Sequence, residues 1–430
     1  MRIFNRVKNF ILSRYEKDLV VIYLVAACMS ILMFWFHPRV GDLDTPSYLF
    51  AKDQLLTYFK LDSFRPPLYP LFLAITYNSI GTTIAQNIIF LISVGFFYSI
   101  LKMLLSNRRL IFVFMLIYVI HPAFIAYNYI LMTESLSISL GTIYLFFLIR
   151  YIRQEKTKDC WIFHILTVIL ILIKPAFLFL LGISVGLFIY QVLFRRNIRR
   201  LGLFILPMVV ALSSIGLYSL KMKKDHGVFN VSCVTDINLY WIMSEHNLID
   251  YESIGNGELK PDVQVLPFAY YYVEALHICR AHGWKELHSI VQASMKKNRR
   301  AFLFGEDITK FRLYNLNEVV GGGPIGNFWK IVSFFCSITF FQLMTFLCGY
   351  FLLIAYSFFK TRKIPIISIT FFVYIAVNLF MLYFFAYNDY SRLATPMLSV
   401  SLLVIAQLTE FTIQVIRSRK VELKHLRIFQ

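Results

Sequence analysis

Apolar residues occupy this chain in long blocks, not in the alternating or one-sided patterns of a soluble domain. Helices crossing a hydrocarbon core of about 30 Å need roughly 17–25 such residues. The blocks predict spans at 19–36, 84–105, 110–126, 134–149, 161–173, 176–194, 201–220, 331–359, 364–387 and 393–416. The expected fold is therefore an all-α polytopic membrane protein with about ten transmembrane helices. One stretch is ambiguous. Trp161 to Phe194 is broken only by Lys174-Pro175. As a single helix it would run about 50 Å, too long for one crossing and short for two.

Charge resolves the ambiguity. Cytoplasmic loops carry an excess of Lys and Arg close to the spans. With ten spans and the N-terminus inside, 24 of the 43 basic residues fall in 1–18, 102–109, 150–158, 195–200, 360–363 and 417–427. If 161–194 crossed once, Arg195, Arg196, Arg199, Arg200, Lys360, Arg362, Lys363 and the basic C-terminal tail would lie outside. Two short crossings, with Lys174 at an outer turn, satisfy the rule. The block Leu19–Phe36 follows five basic residues, is long for a signal peptide and lacks a small-residue cleavage site. It reads as a retained first span.

Composition agrees with this. The chain has 430 residues, 58% of them apolar and 16% charged, against about 45–50% and 25% in an average soluble domain. A cytosolic globular enzyme is excluded. The net charge of +19 would suggest a nucleic-acid binder in a soluble chain. Here most of the positive charge orients spans, and no nucleic-acid partner is expected. Six cysteines with no CxxC pair give neither a zinc site nor a disulfide framework.

Three units follow: an N-terminal transmembrane module (1–220) with an outer loop at 37–83, an extracytoplasmic segment (221–327), and a C-terminal module with a basic tail (328–430). In the second, Phe268, Tyr272, Ala275 and Cys279, then Trp284, Leu287, Val291 and Met295, recur at helical spacing. These amphipathic helices lie on the outer leaflet or pack on the bundle, or else form a small extracytoplasmic cap. Gly321-Gly322-Gly323-Pro324 reads as a hinge back into the membrane. Cys233 and Cys279 are both outside, but nothing in the sequence pairs them. Asn230-Val231-Ser232 is a glycosylation sequon.

The unusual ionisable residues sort to the outer side. Asp42, Asp44 and Arg65 lie in the first outer loop, Glu134 heads the fourth span, Lys174 sits at an outer turn, and Asp389 and Arg392 precede the tenth span. Charges at membrane depth are costly and usually face a bundle interior or a wet cavity. Each also has a plain reading. Gly41 and Pro46 make a solvated turn of Asp42 and Asp44; Arg65 is an interfacial anchor. Glu134 is a helix N-terminal acid capped by Thr133, and Lys174 snorkels to the surface. Asp389 and Arg392 form a local surface pair, and His121 before Pro122 is a structural loop residue.

Three neighbourhoods favour a shared site: Asp44-Thr45-Pro46-Ser47-Tyr48-Leu49-Phe50-Ala51, Arg65-Pro66-Pro67-Leu68-Tyr69-Pro70, and Met132-Thr133-Glu134-Ser135-Leu136. Together they resemble the GT-C superfamily of integral-membrane glycosyltransferases over roughly residues 18–150. The closest branch is that of protein O-mannosyltransferases and lipid A aminoarabinose transferases (glycosyltransferase family 39-like). Arg392-Leu393-Ala394-Thr395-Pro396 resembles its late Arg…Pro signature. The resemblance implies a polyprenyl-phosphate sugar donor and an acid of the first outer loop as catalytic base. Asp44 matches by its spacing to Tyr48, and Asp42 is the runner-up. Arg65 takes the place of the basic residue that contacts the donor phosphate. Many members carry two adjacent acids where this chain has Asp-Leu-Asp, so the division of roles stays open.

The chemistry fits these residue types. Negative charge grows on the phosphate as the glycosidic bond breaks, and cations placed there stabilise the transition state. Arg65 and Arg392 offer bidentate forks and Lys174 a point charge. An Asp takes the proton of the attacking hydroxyl. Glu134 orients the acceptor or holds a metal. No cofactor is certain; a divalent cation would draw on Asp42, Asp44 and Glu134. The expected function is transfer of a sugar to an acceptor hydroxyl of a lipid, glycan or protein, on the extracytoplasmic side of a bacterial inner membrane, with inversion. The alternatives are a lipid-linked sugar flippase or other transporter, a non-catalytic scaffold with a ligand-binding outer loop, and a polysaccharide polymerase or ligase.

Overall fold

The computed structural model describes residues 14–36, 44–195, 198–246, 248–249, 274–275, 278–279, 282–299, 312–313, 331, 337–385 and 394–428. The N-terminal half contains α1 (Arg14–Phe36), α2 (Thr45–Tyr58), α3 (Leu68–Ile75), α4 (Ser79–Leu104), α5 (Arg108–Ile120), α6 (Pro122–Ala126), α7 (Glu134–Gln154) and α8 (Thr157–Ile173). It continues with α9 (Phe179–Tyr190), α10 (Ile198–His226), α11 (Val234–Glu245), α12 (Trp284–Lys297), α13 (Phe340–Thr361), α14 (Ile366–Phe385) and α15 (Leu398–Ile428). A two-residue antiparallel pair, Arg312–Leu313 with Ile338–Thr339, is the strand content among the described residues.

Local chemistry sets the helix ends. Asn78 accepts from the Gly81 N–H to start α4, and Asn107 accepts from the Arg109 N–H to start α5. Thr339 and Gln342 form a reciprocal capping box at the head of α13. Lys174 is extended (φ −144°, ψ 114°) because it precedes Pro175, and this ends α8. Gly227, at φ +81°, turns the chain out of α10.

Contacts sort the helix ends into two layers. At one end Asp18 of α1 pairs with Arg108 of α5 (2.6 Å), and Arg150 of α7 holds Asp159 of α8 (Nε to Oδ2, 2.6 Å). At the same end Gln191 donates to the Tyr151 hydroxyl at 2.6 Å, and Glu410 of α15 accepts the N–H groups of Ser106 and Asn107 at 2.8 Å each. At the other end Gln86 bonds the carbonyls of Tyr127 and Ile130, Lys174 meets Glu134, and His226 reaches the Leu61 carbonyl. The chain therefore turns back at Lys174-Pro175, and α8 and the segment from Pro175 to Gln191 each traverse the bundle, as the charge pattern requires.

Among the described residues, seven helices are long and apolar enough to cross a membrane. An eighth comes from α5 and the segment Pro122–Tyr129, bent by 46° at His121-Pro122. The ten-span expectation counts two further elements, α8 with 17 residues and α14 with 20. α8 runs from the Arg150–Asp159 contact at one layer to Lys174 at the other. The protein is an integral, polytopic all-α membrane protein.

The main core joins α1, α4, α5, α7, α8 and α15. Through its middle runs a chain of buried hydroxyls: Ser93 to Tyr118 (2.9 Å), Tyr118 to Thr142 (3.1 Å) and Thr142 to Ser399 (2.8 Å). Each bond links a different pair of helices, at about 0.6 kcal/mol apiece on average in such settings. A second core lies at the Lys174 end. There Trp284, Leu287, Ile290 and Val291 of α12 pack on Cys233, Ile237 and Tyr240 at and within α11, with Ala275, Cys279 and Phe64. These apolar faces pack against the rest of the protein. Phe268, Tyr272 and the segment Gly321–Pro324 lie outside the described residues. The sequon is closed, since the Ser232 hydroxyl is buried and donates to the Phe64 carbonyl.

Candidate functional site

Asp44 immediately precedes α2, with Pro46 in the first turn. Its carboxylate does not cap the helix. It meets Arg65 Nη2 at 2.6 Å instead, with both side chains buried. Arg65 is fixed from every side. Asp62 Oδ2 accepts the backbone N–H groups of Phe64 (3.2 Å) and Arg65 (2.8 Å), which shapes the turn. Arg65 Nε donates to Ser47 Oγ (2.7 Å) and Nη1 to the Tyr48 hydroxyl (3.1 Å). The guanidinium lies 4.2 Å from the Tyr48 ring centre and 4.0 Å from that of Phe64, a cation held between two aromatic rings. Pro66 and Pro67 then lead into α3, whose Tyr69 packs edge-on to Tyr48 at 4.9 Å.

The second pair lies beside the first. Glu134 begins α7 and is 2% exposed; Lys174, just past α8, is 7% exposed. Lys174 Nζ donates to Glu134 Oε1 at 3.0 Å. Thr133 donates to Glu134 Oε2 (3.3 Å) and touches the Tyr48 hydroxyl (3.4 Å). One path therefore runs Asp44–Arg65–Tyr48–Thr133–Glu134–Lys174. It joins four charged side chains from four sequence regions. Burial pushes the Tyr48 phenol up to about 12, with Arg65 opposing and Asp44 and Glu134 adding to the rise. The phenol keeps its proton at neutral pH and serves as a hydrogen-bonding bridge between the pairs.

The structure thus brings together Asp44, Arg65, Glu134 and Lys174. Asp42, Asp389 and Arg392 lie outside the described residues. The turn Thr395–Met397 is buried, and the Tyr374 hydroxyl donates to the Pro396 carbonyl at 3.1 Å. His121 caps the short helix α6, its Nδ1 accepting from the Ala123 N–H, in line with the structural reading. Among the described residues no three His, Cys, Asp or Glu side chains are grouped to hold a metal ion. Asp44 and Glu134 each already face a basic partner.

Several participants were not singled out from sequence. Ser47 and Asp62 hold Arg65, and buried Gln86 bonds Tyr69 as well as the two carbonyls. Ser135 donates to Asn128 at 2.5 Å just behind Glu134. Their signals were a polar residue inside an apolar helix (Gln86) and an Asp three residues before a constrained turn (Asp62).

No protein-family model matches the chain, and no curated protein matches it. Solved structures do. The apo oligosaccharyltransferase of Archaeoglobus fulgidus is 14% identical, with a TM-score of 0.52, covering 97% of this chain and 52% of that one. The archaeal oligosaccharyltransferase AglB of the same organism, solved with an inhibitory peptide and a dolichol-phosphate, is 12% identical with a TM-score of 0.54, covering 96% and 52%. A third structure, tethered to an acceptor peptide containing the NVT sequon, gives 13% identity and a TM-score of 0.51, covering 93% and 50%. This chain spans about half the length of these proteins. The likeness is one of fold, that of an all-α polytopic membrane protein.

Proposed function

We propose that this protein is a membrane glycosyltransferase. It moves a sugar from a polyprenyl-phosphate donor to an acceptor hydroxyl at the Lys174 end of the bundle, which faces the extracytoplasmic side. The observation that carries the reading is the buried path from Asp44 to Lys174, two acids and two bases where a lipid-borne phosphate would arrive. Further support comes from the GT-C fold and from the solved neighbour that holds a dolichol-phosphate. The Asp-x-x-x-Tyr and Arg-Pro-Pro-x-Tyr-Pro motifs support the branch that uses polyprenyl-phosphate monosaccharides.

The two pairs suggest how the reaction is organised. In the resting protein Arg65 neutralises Asp44 and Lys174 neutralises Glu134. A donor phosphate competes with the Asp44 carboxylate for the Arg65 guanidinium, which binds phosphate bidentately. As Arg65 turns to the phosphate, Asp44 gains basicity and accepts the acceptor's proton while the oxygen attacks C1 from the face opposite the phosphate. The configuration at C1 inverts. The growing charge on the leaving phosphate is met by Arg65, with Lys174 and Arg392 as further cations, and Glu134 orients the acceptor. Asp42 is the alternative base.

The test is transfer of labelled sugar from a synthetic polyprenyl-phosphate donor by the purified protein in lipid. The expected result is donor cleavage coupled to acceptor glycosylation. Lipid movement across the bilayer without cleavage would instead establish a flippase.

A further inference from the structure

Behind the Arg65 turn sits a pair of cysteines that the proposed reaction does not use. The sulfurs of Cys233 and Cys279 lie 3.5 Å apart. Cys233 is fully buried and Cys279 is 6% exposed. Ser63 Oγ touches both, at 3.9 Å from Cys233 and 3.7 Å from Cys279. The same few residues lock this spot to the site: the Cys233 N–H donates to the Ser63 carbonyl (2.8 Å), and Ser232 Oγ donates to the Phe64 carbonyl (2.5 Å). Ser63 and Phe64 are the two residues before Arg65. Phe64 itself reaches into the cap core beside both cysteines.

We propose that Cys233 and Cys279 form a disulfide in the native protein, a staple that closes the cap over the turn carrying Arg65. The side chains already meet sulfur to sulfur, and the remaining approach of about 1.5 Å to a bonded distance near 2.05 Å is within side-chain movement. The bond would close a 46-residue separation in sequence between the head of α11 and the segment at 278–279. Such a cross-link restricts the unfolded chain and holds the cap where Phe64 and Ser63 need it.

Formation follows thiol–disulfide exchange. Cys279, the more exposed sulfur, attacks an incoming disulfide of a thiol oxidase or of oxidised glutathione and expels one thiolate. Its thiol is shifted down chiefly by the hydrogen bond with Cys233, which favours the attacking thiolate. Cys233 then loses its proton and attacks the Cys279 sulfur of the mixed disulfide, releasing the second thiol. Two protein thiols are oxidised, one external disulfide is reduced, and both protons end on the released thiols. The staple shares with the proposed function only the outward orientation of this end, where disulfides persist.

The experiment traps the full-length protein in its native membrane. Thiols are blocked with a light maleimide in denaturant after an acid quench. The protein is then reduced, labelled with a heavy maleimide and mapped by mass spectrometry. The expected result is heavy label on Cys233 and Cys279 alone among the six cysteines, and a linked peptide before reduction. In Cys233→Ser, Cys279 takes the light label. Light label on both residues in the wild type overturns the proposal. So does failure of the purified protein to form the linked peptide with oxidised glutathione. A Lys60→Cys probe in a Cys233→Ser/Cys279→Ser background, treated with a membrane-impermeant maleimide in intact cells, separates the causes. If Lys60→Cys reacts while the native pair is reduced, the staple alone is wrong. If it does not react, the outward reading shared with the proposed function fails with it.

Discussion

Both ends of this bundle carry ion pairs, and they differ in a way that separates scaffolding from chemistry. At the Arg150 end, Asp18–Arg108 leaves both side chains about a quarter to a third exposed, and Arg150 remains partly exposed over buried Asp159. Glu410 caps the backbone at the head of α5. These groups pin helices together beside water. At the Lys174 end, Asp44–Arg65 and Glu134–Lys174 are buried on both partners and bridged by neutral hydroxyls. Burying two full ion pairs is weakly stabilising at best, since desolvation offsets their attraction. A fold that needed only rigidity has a cheaper solution in its own middle, the hydroxyl chain from Ser93 to Ser399. The pairs at the Lys174 end therefore read as machinery kept against a stability cost.

Substitutions sharpen that contrast. Arg65→Ala should do the most damage, lowering sugar transfer by about 10²–10³-fold and stability by about 3–5 kcal/mol through the buried carboxylate it strands. Arg65→Lys should restore much of the stability but little of the rate, because an ammonium cannot fork onto phosphate. Kinetics and thermal unfolding, read side by side, check this. If both properties recover together, Arg65 is structural only.

The second pair offers a thermodynamic cycle. Lys174→Met and Glu134→Gln should each destabilise, Lys174→Met by about 3–5 kcal/mol because it leaves Glu134 buried and uncompensated. The double variant should regain most of that loss while staying slow in transfer. Strictly additive stability losses would break the assignment of these residues as a coupled pair.

At the opposite end, Arg108→Ala or Asp18→Ala should cost about 1 kcal/mol or less, as partly exposed pairs do, and leave transfer unchanged. A large fall in turnover from either would erase the distinction between the two ends.

Much of this organisation was legible in the sequence because lipid makes charge conspicuous. Glu134 and Lys174 stand out within or beside apolar blocks, and the turn at Lys174-Pro175 follows from proline chemistry and the placement of Arg195 to Arg200. The distribution of Lys and Arg among the short loops decided the crossing that hydropathy left open. Other features were not legible. Ser47 and Asp62 are ordinary turn residues until Arg65 folds against them. Gln86 is one amide in a long apolar helix, and only the carbonyls of Tyr127 and Ile130 explain it. The partnership of Cys233 and Cys279 depends on how α11 and the segment at 278–279 pack, which no local pattern encodes.

The central claim is that the Asp44–Lys174 path is a site of glycosyl transfer. Its most direct test is single-turnover transfer of labelled sugar from a polyprenyl-phosphate donor by the wild type, Asp44→Asn and Asp42→Asn, with donor binding measured in parallel. The account predicts that Asp44→Asn loses about 10²–10⁴-fold in transfer, the range of a removed general base, while still binding donor. If both variants transfer sugar at wild-type rates, the base assignment and the mechanism built on it are wrong.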